Sequence, residues 1–142
     1  MENINWGIVG LGEIAHIFSK GFEESSNAKL LAVASKDTEK LNKFSDQFNI
    51  ENKFLFNNYE DLIRCKEIDI VYIALPNFLH HTWALESIRN KKHVLVEKPV
   101  TLTFEEIINI EKNLNNKKIF FGEAFMYRYH PQIRIVLDII NN

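Results

Sequence analysis

Ile4-Asn5-Trp6-Gly7-Ile8-Val9-Gly10-Leu11-Gly12-Glu13-Ile14-Ala15 opens the chain with an apolar segment, a glycine turn and the start of a helical pattern. Ile4, Trp6, Ile8 and Val9 read as a strand, and Gly10-Leu11-Gly12-Glu13-Ile14-Ala15 fits G-x-G-x-x-G/A in the strand-to-helix context that gives the pattern meaning. Gly10 is expected to take the backbone angles of the turn. Gly12, having no Cβ, leaves room for a pyrophosphate, and Ala15 lets the helix close on the strand. The helix start offers unpaired N–H groups and the positive end of its dipole to phosphate oxygens. A dinucleotide is the ligand this arrangement suits best.

Working outward, apolar strand-like runs alternate with helical patterns. Ile14, Ile17, Phe18 and Phe22 share one face of the first helix. Lys29–Ser35 reads as a strand covered on both faces, and Asp37 as the cap of a helix burying Leu41, Phe44 and Phe48. A short strand over Phe54–Phe56 and a short helix over Tyr59–Arg64 come next. Ile68–Leu75 is the most strand-like run and is closed by Pro76-Asn77. A helix from about Leu79 to Asn90 leads to a strand at His93–Val96, and Thr103-Phe104-Glu105-Glu106 forms a capping box for a further helix. Lys118–Gly122 is the sixth strand, and Pro131 starts a last helix through Ile133, Val136, Leu137 and Ile140. The expected fold is therefore α/β: a doubly wound, mostly parallel, six-strand Rossmann sheet with its ligand edge at the carboxyl ends of the strands. That edge carries Gly10, Ser35, Pro76, Glu97 and Glu123.

With 142 residues, 46% of them hydrophobic and 12% aromatic, the chain has the means for one well-buried domain. Net charge is −2 and no basic run exists, which argues against a nucleic-acid partner. Cys65 is the only cysteine, so neither an internal disulfide nor a cysteine zinc site is available. No apolar stretch approaches membrane-spanning length and the Met-Glu-Asn start lacks signal-peptide character, so the expected setting is cytoplasmic.

The end of the second strand discriminates between nicotinamide nucleotides, because an acidic residue there suits the 2′-hydroxyl of NAD and a cationic or hydroxyl group the 2′-phosphate of NADP. The chain reads Ser35-Lys36-Asp37. Ser35 and Lys36 point to NADP over NAD, while Asp37 is assigned to helix capping; a merely solvated Lys36 is the alternative. Glu97-Lys98-Pro99 leaves the fifth strand at the same edge. A lysine there could hydrogen-bond a substrate oxygen and stabilise its charge during hydride transfer, with Pro99 stiffening the turn. His80 is weighed both as a site residue and as a surface or capping histidine; His81, about 100° further round the helix, is taken as structural.

Four pieces together resemble the glucose–fructose oxidoreductase/inositol dehydrogenase/MocA family: Gly7-Ile8-Val9-Gly10-Leu11-Gly12 with Ile14-Ala15, Ala74-Leu75-Pro76-Asn77 with His80, Val96-Glu97-Lys98-Pro99, and Glu123–Gln132. The last piece is most similar to the branch with dihydrodiol dehydrogenase and sugar oxidoreductases. The resemblance implies an NAD(P)-dependent oxidoreductase acting on CH–OH groups of a sugar, cyclitol or dihydrodiol-like compound. Carried over position by position, Gly10, Gly12 and Ile14 would meet the pyrophosphate, and Ser35 and Lys36 the adenosine ribose. Leu75, Pro76, Asn77 and His80 would line the nicotinamide half. Glu97 would hold the nicotinamide ribose, Lys98 would be the catalytic lysine, and Tyr127 and Arg128 would flank the nicotinamide or the substrate cleft. No metal is implied.

Members of this family are similar in having a second α/β domain that completes the substrate pocket and builds a homo-oligomer. Residues 1–128 match the nucleotide domain, and 129–142 the helix leading to the absent second one. The expectation is a truncated domain, inactive by itself and exposing apolar surface along its last helix. A non-catalytic dinucleotide sensor or partner-docking module is the alternative function, and a Rossmann methyltransferase a third.

Overall fold

The computed structural model describes residues 3–115 and 118–141; the Met1-Glu2 opening and Asn142, which belong to the two expected segments, lie outside them. Strand β1 (Ile4–Val9) is followed by α1 (Glu13–Lys20), and β2 (Ala28–Ala34) by α2 (Thr38–Phe48). Then come β3 (Leu55–Phe56), α3 (Tyr59–Arg64), β4 (Ile70–Ile73) and α4 (His80–Arg89). The run ends with β5 (His93–Val96), α5 (Phe104–Leu114), β6 (Phe121–Glu123) and α6 (Pro131–Asn141).

All strand pairings are parallel, in the order β3-β2-β1-β4-β5-β6, so the expected doubly wound sheet is present. Winding runs outward from β1 in one direction and from β4 in the other. Right-handed crossovers therefore put the helices of the two halves on opposite faces, and the crevice opens between β1 and β4. The central strands are sealed: Ile8, Val9, Val33, Val71, Ile73, Val94 and Val96 are buried.

Local signals set most element ends. Asp37 Oδ1 accepts from the Glu39 and Lys40 amides at 3.0 and 3.1 Å, capping α2. Thr103 and Glu106 form the reciprocal capping box of α5. Several expected bounds shift, among them β2, found at Ala28–Ala34, and β3, which loses Phe54 to a 3-10 turn. β4 narrows to Ile70–Ile73, the residues with a parallel partner on β1. β6 moves on to Phe121–Glu123, because its ladder begins opposite Val94, and the Phe120 amide is taken by His93 Nδ1 at 2.8 Å. α1 stops at Lys20, leaving Phe22 in a 3-10 turn over Gly21–Glu24. Ile17 stays exposed, on the lining of a hollow shared with Phe125, Met126 and Tyr129 after β6. α6 buries none of its residues.

Candidate functional site

The two glycines of the opening turn have different physical reasons to be glycine. Gly10 has φ +89°, and a Cβ on it would stand 2.5 Å from the Ala74 carbonyl oxygen; the fold itself requires it. Gly12 has ordinary backbone angles, and a Cβ there would meet nothing within 4 Å. Packing within the chain therefore does not account for glycine at position 12, which leaves the amide end of α1 open. No side chain caps that end: Gly12 supplies only its carbonyl oxygen, to the Ala15 and His16 amides. Ala15, in the first turn of α1, is fully buried.

Beside this turn lies an open hollow of about 350 Å³ lined by Gly10, Leu11, Gly12, Ser35, Lys36, Asp37, Lys40, Tyr59, Ala74, Leu75 and Pro76. Six of the expected cofactor residues thus line this hollow, Gly10, Gly12, Ser35, Lys36, Leu75 and Pro76, whereas Ile14 lines a separate one. The buried Ser35 hydroxyl accepts the Asp37 amide at 3.1 Å, which fixes its oxygen and leaves its hydrogen as a donor. Lys36 Nζ lies 5.7 Å from the centre of the Tyr59 ring, near enough for a cation–π contact. Lys40, one helical turn into α2, reaches to 4.0 Å of Asp37 Oδ2. Asp37 spends its other oxygen on the α2 cap, so the acidic side chain nearest the end of β2 is engaged by the protein and two lysines flank it.

At the other side of the crevice the Glu97–Val100 turn is held from three directions. The Glu97 amide donates to the Ile73 carbonyl at 3.0 Å, and Tyr72 Oη donates to Glu97 Oε1 at 2.6 Å. The Val100 amide donates to Glu123 Oε1 at 2.9 Å. Burial, followed by the Glu97 hydrogen bond and charge, pushes the Tyr72 phenol well above its ordinary range, so this hydroxyl stays a donor. Lys98 is exposed on this turn, and its peptide bond to Pro99 is cis.

His80, at the first residue of α4, is enclosed by the turns after β4 and β5. Its ring is fully buried, and both nitrogens lie 2.7 Å from carbonyl oxygens, Nδ1 from Pro99 and Nε2 from Leu75. The ring faces the backbone of two turns. His81 lies 3.8 Å from Glu106 on α5, a structural placement. Asn77 is exposed at the mouth of the crevice. Of the last motif, Tyr127 and Arg128 stay exposed on a 3-10 turn, whereas Met126 and Tyr129 line an apolar hollow of about 150 Å³ with Ile14, Tyr72 and Glu97. Lys40, Tyr59, Tyr72, Met126 and Tyr129 are the site-lining residues that motif reading missed.

A nicotinamide dinucleotide suits these donors: an uncapped helix start beside a glycine whose Cβ space is empty, a hydroxyl and two lysines where the adenosine ribose would lie, and a lysine at the far end. Among the described residues no cluster of three or more His, Cys, Asp or Glu could hold a metal ion, and no helix is long and apolar enough to cross a membrane.

Comparison with known proteins agrees with this geometry. The model of an oxidoreductase family with an NAD-binding Rossmann fold matches residues 4–125. The D-xylose 1-dehydrogenase (NADP(+)) 2 of Haloferax volcanii is 33% identical over 117 residues, covering 82% of this chain and 35% of that protein. The structure of scyllo-inositol dehydrogenase from Lactobacillus casei with NAD(H) and scyllo-inositol superposes with a TM-score of 0.91 at 26% identity, over 99% of this chain and 41% of the other. That of KijD10, a 3-ketoreductase from Actinomadura kijaniata with NADP and TDP-benzene, gives 0.89 at 28% identity, over 99% and 42%. The chain thus spans about two fifths or less of the length of these relatives.

Proposed function

This chain belongs to the Gfo/Idh/MocA family of oxidoreductases with an NAD-binding Rossmann fold, and from that premise we propose that it is the cofactor-holding part of an NADP(H)-preferring enzyme acting on CH–OH groups of sugar-like compounds. The observation that carries the nucleotide reading is the open amide end of α1 beside Gly12, where a Cβ would touch nothing. Gly10, Gly12 and Ile14 would border the diphosphate. Ser35, Lys36 and Lys40 would bind a 2′-phosphate, with Tyr59 buttressing Lys36. Leu75, Pro76 and Asn77 would flank the path to the nicotinamide ribose, beside the inward-held Glu97.

A bound nicotinamide supplies hydride uptake and release. The chain's own contribution at that end is Lys98, whose amine would hydrogen-bond the substrate oxygen and take or return its proton as the carbon changes oxidation state. Tyr72 and Glu123 would keep the turn under Lys98 still. Tyr127 and Arg128 stand exposed next to this end, where they would meet substrate. Residues 1–128 act as the nucleotide unit and 129–142 as a connecting helix, within a cytoplasmic homo-oligomer whose remaining part closes the substrate pocket.

Parallel calorimetric titration with NADPH, NADH and S-adenosylmethionine tests this. Uptake of NADPH ahead of NADH, with none of S-adenosylmethionine, is the expected outcome. Uptake of S-adenosylmethionine alone would overturn the reading.

A further inference from the structure

We propose that His80 is a positioning residue: it fastens the turn that presents Lys98 to the turn that closes β4, and so sets where the nicotinamide end of a nucleotide and the lysine amine meet. The inference rests on the nucleotide reading above.

Three observations carry it. First, the ring is completely buried, with a carbonyl oxygen 2.7 Å from each nitrogen, Leu75 at one end and Pro99 at the other. A single side chain thus spans the two loops that follow the neighbouring strands β4 and β5. Carbonyl oxygens only accept, so each tie requires hydrogen on the facing nitrogen; a ring with one hydrogen ties one turn, and a ring with both ties both.

Second, Pro99 has no N–H, so its carbonyl is the only backbone group through which it can be held. Glu97 and Val100 at the ends of the turn are pinned to Ile73 and Glu123. The middle, directly after Lys98, has its Pro99 carbonyl oxygen 2.7 Å from His80 Nδ1.

Third, the other carbonyl, that of Leu75, belongs to a residue lining the hollow beside the glycine turn. The ring therefore links the wall of the nucleotide crevice, through a backbone carbonyl, to the lysine turn. Its place at the first residue of α4 makes the linkage rigid, because the helix fixes its backbone.

The test separates the two halves of the ligand. His80→Gln retains a donor amide that reaches one carbonyl and loses the span to both. Wild type and H80Q are titrated with NADPH and with adenosine 2′,5′-bisphosphate, which lacks the nicotinamide half, and the backbone amide signals of Lys98 and Val100 are followed by NMR. The expected result for H80Q is about fivefold weaker NADPH binding, the size of one lost hydrogen bond, with adenosine 2′,5′-bisphosphate affinity within about twofold. Lys98 and Val100 signals shift while those of Lys36 and Asp37 stay. Equal weakening for both ligands, or no change in either, would overturn the proposal. Failure of the wild type to bind either ligand would instead sink the nucleotide reading. Should H80Q not fold, the wild-type ring decides: N–H protons that exchange slowly with water support the tie, and protons that exchange as fast as those of a surface histidine refute it.

Discussion

The carbonyl oxygen of Ala74, at the end of β4, stands 2.5 Å from the point a Cβ on Gly10 would occupy, so the first strand and its neighbour can part only around a residue without a side chain. Gly10→Ala meets that oxygen and the Leu75 side chain while forced to φ +89°. We expect a loss of about 3 kcal/mol or more in folding stability, measured by urea unfolding. A loss below about 0.5 kcal/mol would show that the turn relaxes and that Gly10 is not required by the fold.

The two lysines beside the end of β2 carry the NADP preference. Lys36→Ala with Lys40→Ala should weaken NADPH binding about tenfold, in keeping with charge-assisted contacts at an exposed site, and leave NADH binding within about twofold. The NADPH advantage should also shrink as salt is raised, since both amines are exposed. Equal losses for both nucleotides would remove these lysines from the discrimination.

Tyr72 and Glu97 make stability sensitive to alkaline pH. The folded state raises the Tyr72 phenol above its unfolded value of about 10. Its contribution is therefore complete below about pH 10 and falls away above it, as the unfolded phenol ionises and the folded one resists. Tyr72→Phe should cost about 1–2 kcal/mol at neutral pH and show a shallower decline between about pH 10 and 11.5 in denaturant melts. A Y72F profile parallel to the wild type over that range would exclude this coupling.

For Lys98 the expectation concerns chemistry. In an enzyme carrying this domain, Lys98→Met should lower kcat about 10²- to 10⁴-fold, the range of a lost proton-transfer group, while NADPH affinity stays within about threefold. Unchanged turnover would take Lys98 out of the mechanism.

Much of this was legible in the sequence because it is written in local chemistry. The glycine turn, the Asp37 cap and the Thr103–Glu106 box are each set by residues within a few positions of one another, and all three form as read. The doubly wound parallel sheet followed from six strand-like runs alternating with helical ones. The parts that escaped are those fixed across the sheet. Tyr72 sits in an apolar run and reads as core; only the β4–β5 register, with Ile73 beside Val96, brings its hydroxyl to Glu97. One signal was available: a buried phenol needs a partner, and the adjacent strand ends in a carboxylate. His80 was named as a candidate, but the burial of its ring depends on how closely the Pro99 turn approaches, which no periodicity reports. Lys40 could have been found by helical spacing, one turn on from the Asp37 cap.

Gly12→Asp bears most directly on whether the open helix start is a diphosphate seat. Aspartate at this position can cap α1 and complement its dipole, so thermal stability should hold or rise slightly. At the same time a carboxylate occupies the space where a Cβ now meets nothing. We expect the G12D chain to melt within a few degrees of wild type or above it, and to lose NADPH binding by at least about tenfold in calorimetry. Undiminished NADPH uptake by a folded G12D chain would contradict the seat.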